Sequence, residues 1–487
     1  MGLMDNRNWE GRIYSGGWVP GRGGEYEAIE PATGDKLARV GSATAADVHK
    51  AAESAGQAQP EWAALPYDRR AAVLRQAGQL FLQHADEIED WLVRESGAVR
   101  PFAAFQTRGV AAEECFEAAA LASHPYGELL RSNQPRLSMA RRLPVGVVGV
   151  IAPFNAPVIL AIRAIAPALA LGNAVVCKPD PRTAVCGGVV FARIFEWAGL
   201  PSGLLHILPG GADVGAAVVD DPLIRVVAFT GSTRAGKAIA RAAADQLKRV
   251  HLELGGNSAL IVLDDVDLDN AASVGAMGSF IHAGQICMAT SRHLVAADIA
   301  ADYTAALAEH AARIPVGDPA RDDVAMGPII DARQRDNIHR IVTSSVDAGA
   351  VLAAGGSYEG LFYRPTVLSD VPVTAPAYAE EIFGPVAPVV AFSTLEEAAR
   401  LAAGTEYGLS LGILTRDVMK GLSLAERIPS GLVHINDQTV NDEAVIPFGG
   451  VGASGNGSRA GGTQANLDAY TETQWVTMRG DLPRYPF

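Results

Sequence analysis

The sequence predicts an α/β protein made of two doubly wound, Rossmann-like domains with a small antiparallel β element that serves oligomerisation. Three observations lead there. The chain has 487 residues, more than one hydrophobic core usually organises. Nearly half of it (49%) is apolar but only 6% is aromatic, a balance that suits layered helices and sheets. Short β-branched runs repeatedly end at a Gly or Pro turn and give way to Ala-rich helical stretches, the alternation that builds parallel sheets.

The elements follow in order. Residues 146–151 form a strand, residues 153–157 a proline-bounded turn, and residues 158–171 a helix. A second strand at 174–178 meets Pro179, Asp180, Pro181 and Arg182 before a helix that runs through Trp197. A third, 204–208, turns at Pro209, Gly210 and Gly211 into a helix to about residue 219, and a fourth, 225–229, turns through 230–236 into a helix to about residue 247. Such units in succession argue for a doubly wound sheet. Strand-like runs at 259–263, 385–392 and 411–414 predict a second α/β domain in the same style. Residues 136–143 and 470–478 instead alternate polar and apolar side chains, as half-exposed antiparallel strands do, and are expected to pair as one projecting sheet.

A formal net charge of −14, with no block of consecutive Lys or Arg, argues against nucleic acid or an anionic membrane as partner and for small-molecule ligands. The first residues mix both charges before any apolar stretch, unlike a secretory signal, and Asn6 stands where a myristoylation motif wants Ser or Thr. Every apolar run is short or broken by Pro, Gly or a charge, so no membrane span is expected and the default location is the cytoplasm. Four cysteines, Cys115, Cys177, Cys186 and Cys287, make neither a disulfide framework nor a zinc pair, and no metal site is expected.

Single residues carry the chemistry. Cys287 lies among small residues after Gly284, where a thiol is approachable, although an arbitrary cysteine is more often a buried hydrophobe. Glu253 ends an apolar strand and precedes Gly255 and Gly256, which allow backbone to come close to a ligand. Asn155 is held between Pro153 and Pro157, as an amide that donates to an oxyanion requires; alone it reads as a turn residue. The turn at 230–236 follows a strand and opens a helix, so its N–H groups suit phosphate. It nearly spells a nucleotide-triphosphatase loop, with Gly231, Gly236 and Lys237 in place, but Ala238 stands where that loop needs a magnesium-binding hydroxyl. His282 invites a Cys-His hydrolase reading with Cys287; without a third orienting group, a satisfied histidine on a helix is the expectation.

Together, Asn155 between prolines, Lys178-Pro179, residues 229–233, Glu253 to Gly256, Gly284 to Cys287, residues 380–385 and Pro447 to Gly450 resemble the ordered motif set of the aldehyde dehydrogenase superfamily, over roughly residues 25–478. The wording is most similar to that of bacterial NAD-dependent benzaldehyde dehydrogenases. The resemblance implies Cys287 as nucleophile, Asn155 as oxyanion donor and Glu253 as the base that activates water for thioester hydrolysis. It implies cofactor contacts at Ile151, Phe154, Lys178, Asp180, Gly231, Ser232, Gly236, Leu254, Glu381 and Phe383. It further implies an NAD(P)-binding domain over 1–121 and 145–253, a catalytic domain over 254–450, and oligomerisation strands at 122–144 and 468–487 that make a homodimer or homotetramer.

Three positions depart from the family pattern. Pro181 stands where many NAD-specific members have Glu, with Asp180 and Arg182 beside it, so NAD is the expected cofactor and NADP the alternative. Val451 and Gly452 replace a common Lys, and Asn257 replaces another. The segment 156–163, which the resemblance makes the lining of a substrate tunnel, is largely apolar and suits an uncharged aromatic or aliphatic aldehyde; the resemblance makes an aromatic one such as benzaldehyde the expected substrate and an aliphatic aldehyde or semialdehyde the alternative, with Arg163 read as structural. The remaining alternative, a catalytically silent binding relative, would be favoured by loss of Cys287, Glu253 or Asn155, and all three are present.

Overall fold

The structure, a computed structural model, describes residues 2–487. Two seven-stranded sheets organise it. In the first, strands Arg249–Glu253, Ile224–Thr230, Val147–Ile151, Ala174–Lys178 and Leu205–Ile207 run parallel in that spatial order, and the antiparallel strands Arg12–Ser15 and Trp18–Pro20 extend its far edge. The chain lays down Val147–Ile151, builds outward through Ala174–Lys178 and Leu205–Ile207, then returns to place Ile224–Thr230 on the other side. The chain thus winds to opposite sides of the central strand, which opens a crevice at the strands' C-terminal ends.

The second sheet repeats the plan, with Thr366–Ser369, Val386–Phe392, Thr290–Ala296, Ser258–Val262, Ser410–Leu414 and Leu432–Ile435 parallel and Val351–Ala354 antiparallel at one edge. Central strands in both sheets are buried on both faces, which is why they read as continuous apolar runs. Each sheet has its own hydrophobic core. Ile286 and Met288, on either side of Cys287, belong to the core of the first sheet, although the chain around them feeds the second.

The expected projecting sheet also forms. Thr471–Met478 pairs with Leu137–Pro144 along its full length, and Gly127–Leu129 adds a third strand. Trp475 is 62% exposed there, with its indole N–H donated to Ser138 Oγ at 2.9 Å and the Arg136 guanidinium over its ring. No helix among the described residues is long and apolar enough to cross a membrane.

Candidate active site

Topology alone brings the site together. Glu253 ends the edge strand of the first sheet, and five residues later Ser258 begins a strand of the second. Ser258 pairs with Thr290, and His293 with Val389, so the residues preceding those strands lie along one edge of the second sheet. That edge carries Leu254, Cys287, Glu381 and Phe383. Facing it are the turns that leave Val147–Ile151 and Ile224–Thr230, with Asn155, Gly231 and Ser232. A cleft of about 690 Å³ lies between the two edges, within the range of small-molecule and cofactor sites.

Of the residues picked from sequence, Ile151, Phe154, Asn155, Lys178 and Asp180 line one wall, Gly231, Ser232, Glu253 and Leu254 the floor, and Cys287, Glu381 and Phe383 the other wall. Gly236 does not line it. A Cβ there would meet Leu254 Cδ2 at 2.4 Å, so this glycine lets the helix Thr233–Ala244 settle against Leu254. Ser232 caps that helix, accepting from the Ala235 N–H at 3.4 Å, and leaves the helix N-terminus at the cleft.

Cys287 reaches the cleft by a strained route. After helix Leu268–Phe280, His282, Ala283 and Gly284 are consecutively left-handed (φ 50°, 54° and 65°). This conformation disfavours residues with a Cβ by roughly 1–2 kcal/mol each. At Gly284 a Cβ would stand 2.1 Å from the Gly384 carbonyl, and at Gly256 it would stand 2.4 Å from the Cys287 carbonyl. Gly255 similarly makes room for the Glu381 carboxylate, which accepts from the Gly256 N–H at 3.0 Å. Gly256 thus serves close packing within the protein, while Gly255 also lines the cleft. Phe383 is also left-handed, so strained backbone flanks the cleft on both sides of Cys287.

The helical histidine expected at 282 is a correction. His282 lies past the end of the helix, in the left-handed turn that aims Cys287, buried with its ring 4.7 Å from Phe102 and its Nε2 without a hydrogen-bond partner. It does not line the cleft, and burial pushes it down to about 4, so it is no thiol base. Arg163 pairs in the interior with Glu114 (3.2 Å) and Asp442, over the Phe448 ring, as a structural role requires. Cys115, Cys177 and Cys186 are buried, whereas Cys287 is half-buried.

Electrostatics mark the same corner. Glu253 is 8% exposed and neither carboxylate oxygen has a hydrogen-bond partner. Burial pushes it up to about 8, against the pull of Arg163 and Arg459. Burial and then the carboxylates of Glu381, Glu253 and Asp442 push the Cys287 thiol up to about 12. Glu381 rises to about 7, again by burial, opposed by the Gly256 N–H.

At the other end of the cleft, Lys178 is 7% exposed and held below the usual ammonium range by burial. Asp180 grips Arg182 through two hydrogen bonds of 2.9 Å; burial opposes its charge, but the Arg182 contacts outweigh that and hold it below the ordinary carboxylate range. Arg182 also bonds Asp331 of the opposite wall at 2.7 Å and stacks on Phe154 at 4.1 Å, so it bridges the cleft. Sequence reading missed Asp331 and Gln334 as lining residues. Their signal, an N-cap Asp with Gln three residues on, announces the start of helix Ala332–Asp347 but not its position over a cleft; Gln334 Nε2 donates to the Phe383 carbonyl at 3.2 Å.

The residues fit a dinucleotide: a capped helix N-terminus for the pyrophosphate, Lys178 at one end, and the Glu381 carboxylate at the other. Comparison with known proteins agrees with this geometry. Residues 18–476 match the Aldehyde dehydrogenase family. The chain is 63% identical over 487 residues to the vanillin dehydrogenase of an Amycolatopsis species, covering 100% of both. It is 48% identical over 480 residues to the benzaldehyde dehydrogenase [NAD(+)] of Pseudomonas putida, covering 98% of each. The crystal structure of a salicylaldehyde dehydrogenase from Pseudomonas putida G7 complexed with salicylaldehyde superposes with a TM-score of 0.94 at 34% identity, covering 98% of this chain and 99% of that one.

Proposed function

The chain belongs to the aldehyde dehydrogenase family, and on that premise we propose that it oxidises an aromatic aldehyde, of the benzaldehyde and vanillin class, to its carboxylic acid with NAD. The observation that carries the reading is the convergence of Cys287, Glu253 and Asn155 on one cleft that also offers a dinucleotide site. The relatives acting on aromatic aldehydes support the substrate class, and the benzaldehyde dehydrogenase [NAD(+)] supports the cofactor.

In this reading Cys287 attacks the aldehyde carbon as thiolate, forming the C–S bond of a thiohemiacetal. The developing oxyanion is met by the Asn155 amide and the Cys287 backbone N–H. Lys178, Asp180, Ser232, Glu381 and Phe383 would hold NAD, which would supply the hydride acceptor. Glu253 then removes a proton from water as it adds to the thioester, and the acid leaves as the C–S bond breaks. Burial, Glu381 and Glu253 oppose ionisation of the Cys287 thiol in the resting site.

We assign residues 1–121 and 145–253 to the NAD-binding domain, 254–450 to the catalytic domain, and 122–144 with 468–487 to oligomerisation. The separate cores of the two large sheets support the first division, and the open, Trp475-bearing edge of the third sheet supports a homodimer or homotetramer. A cytoplasmic location accords with the acidic, small-molecule character of the chain. The test follows NADH by absorbance with benzaldehyde, vanillin and an aliphatic aldehyde for wild type, Cys287→Ala and Asn155→Ala. Turnover with the aromatic substrates is expected to vanish in Cys287→Ala and to fall about 10²–10³-fold in Asn155→Ala. Undiminished turnover in Cys287→Ala sinks the reading.

A further inference from the structure

NADP differs from NAD by one phosphate on the 2′-oxygen of its adenosine ribose, so the groups around that ribose decide between the two. Hydride leaves the carbon bonded to the Cys287 sulfur, so a dinucleotide in this cleft would turn its nicotinamide to Cys287. Its adenosine would then lie toward the far end, where Lys178, Asp180, Pro181, Arg182, Gly211 and Ala212 form the wall. Pro181 brings no charge there. Arg182 is the side chain best shaped for a phosphate, a planar fork of N–H donors, so the cofactor choice turns on whether its guanidinium is free.

It is not free. Asp180 accepts from Nε and from Nη2, each at 2.9 Å, and Asp331 of the opposite wall accepts from Nη1 at 2.7 Å. The Asp331 side chain is itself fixed, because it caps helix Ala332–Asp347: Oδ1 accepts from the Gln334 N–H at 2.7 Å, which leaves Oδ2 for Arg182. Gln334 is tied to the Phe383 carbonyl, and the Phe383 ring packs edge-on at 5.8 Å against Phe154, the ring on which Arg182 stacks. A closed circuit of contacts across the cleft thus holds the guanidinium. Burial opposes the charge on Arg182, but its bonds to Asp180 and Asp331 outweigh burial. Lys178, the other cation at this end, feels the carboxylates of Asp180 and Asp213. Three carboxylates, Asp180, Asp213 and Asp331, therefore face two cations.

We propose that Asp331 is a positioning residue that sets the cofactor choice from across the cleft: by holding Arg182 it denies the guanidinium to a 2′-phosphate, and so favours NAD. The inference rests on the reading of the cleft as a dinucleotide site. A phosphate monoester carries a charge of about −1.5 to −2 near neutral pH. At this end it would meet the surplus of carboxylates, and to gain Arg182 it would have to break the bond to Asp331 and leave that carboxylate unpaired. A ribose hydroxyl incurs neither cost. It needs one acceptor, and Asp180 Oδ2, which among the described residues accepts from Arg182 Nη2 alone, has a lone pair to offer. The discrimination thus comes from refusing the wrong ligand as much as from fitting the right one.

The test is equilibrium binding of NAD and of NADP, measured by titration calorimetry without aldehyde, for wild type, Asp331→Asn, Asp331→Ser and the double variant Asp331→Asn with Arg182→Leu. Asn and Ser both keep an oxygen that caps the helix, so these variants are expected to fold; Ser is in addition too short to reach Arg182. Wild type should bind NAD at least about tenfold more tightly than NADP. In both single variants NADP should tighten about tenfold or more, as a freed guanidinium gains the phosphate, while NAD stays within about threefold. The double variant should return NADP to its wild-type affinity, because the gain runs through Arg182. Three results overturn the inference: an unchanged NADP affinity in both Asp331 variants, NAD and NADP shifting together, or a gain for NADP that survives loss of Arg182. Absence of NAD binding to wild type would instead overturn the dinucleotide reading on which the inference rests.

Discussion

The segment 253–257 crosses from the first sheet to the second, and its two ends treat buried charge in opposite ways. At one end Glu253 has no hydrogen-bond partner for either oxygen. At the other, the Asn257 carbonyl accepts from Arg292 Nε at 3.1 Å and Nη2 at 2.8 Å, and the same guanidinium reaches the carbonyls of Leu401 at 2.9 Å and Ala402 at 3.0 Å while stacking on Tyr378. Both groups are buried and ionisable. Arg292 ties the crossing segment to the helix Leu395–Ala403, so its charge is spent on scaffolding. Glu253 is left unsaturated, with its proton held more tightly than in water and open to exchange with whatever enters the cleft.

This contrast breaks first, if it breaks at all, at Arg292. Arg292→Met strands several buried carbonyls and is expected to lower stability by about 3 to 5 kcal/mol in thermal or denaturant unfolding. The first-turnover rate per folded molecule should remain. A variant of normal stability that lost catalysis would reverse the assignment of roles.

Glu253→Gln should act in the opposite direction on stability. Burial raises the folded carboxyl to about 8, above its unfolded value near 4.5, so Glu253 is tolerated when protonated at low pH and becomes destabilising as pH rises through that interval. Unfolding measured across pH 4 to 9 should find the Gln variant equal to wild type at the acid end and more stable by up to roughly 5 kcal/mol at the alkaline end. A constant difference across that range would show that the carboxyl is not shifted. The smallest effect belongs to Asn257→Ala, which removes the 2.8 Å bond from Nδ2 to the Tyr378 carbonyl. It should cost about 1–2 kcal/mol in the same assay with kcat unchanged, sharpening the view that this end of the segment is structural.

Much of the site was legible because its residues are local exceptions. An amide between two prolines, a Glu before paired glycines and a Cys after a glycine turn each violate what their surroundings would otherwise place there. The cleft-bridging Arg182 to Asp331 pair was not legible, because its members are 149 residues apart and each has an ordinary local explanation, a turn charge and a helix cap. His282 misled for the related reason that a left-handed histidine has no signature in composition or periodicity. Gly236 belongs to a turn suited to phosphate, yet its own lack of a side chain serves Leu254.

By itself the sequence determined the parallel sheets, since strands buried on both faces must be apolar throughout, and it singled out a thiol, a carboxylate and an amide as candidates for the chemistry, since each role admits few residue types. Only the tertiary structure decided which polar groups keep partners and which go without. Arg292 and Glu253 look alike in the chain, as single charges beside apolar runs, and they separate only when folding lets one donate four hydrogen bonds to neighbouring carbonyls and leaves the other with none.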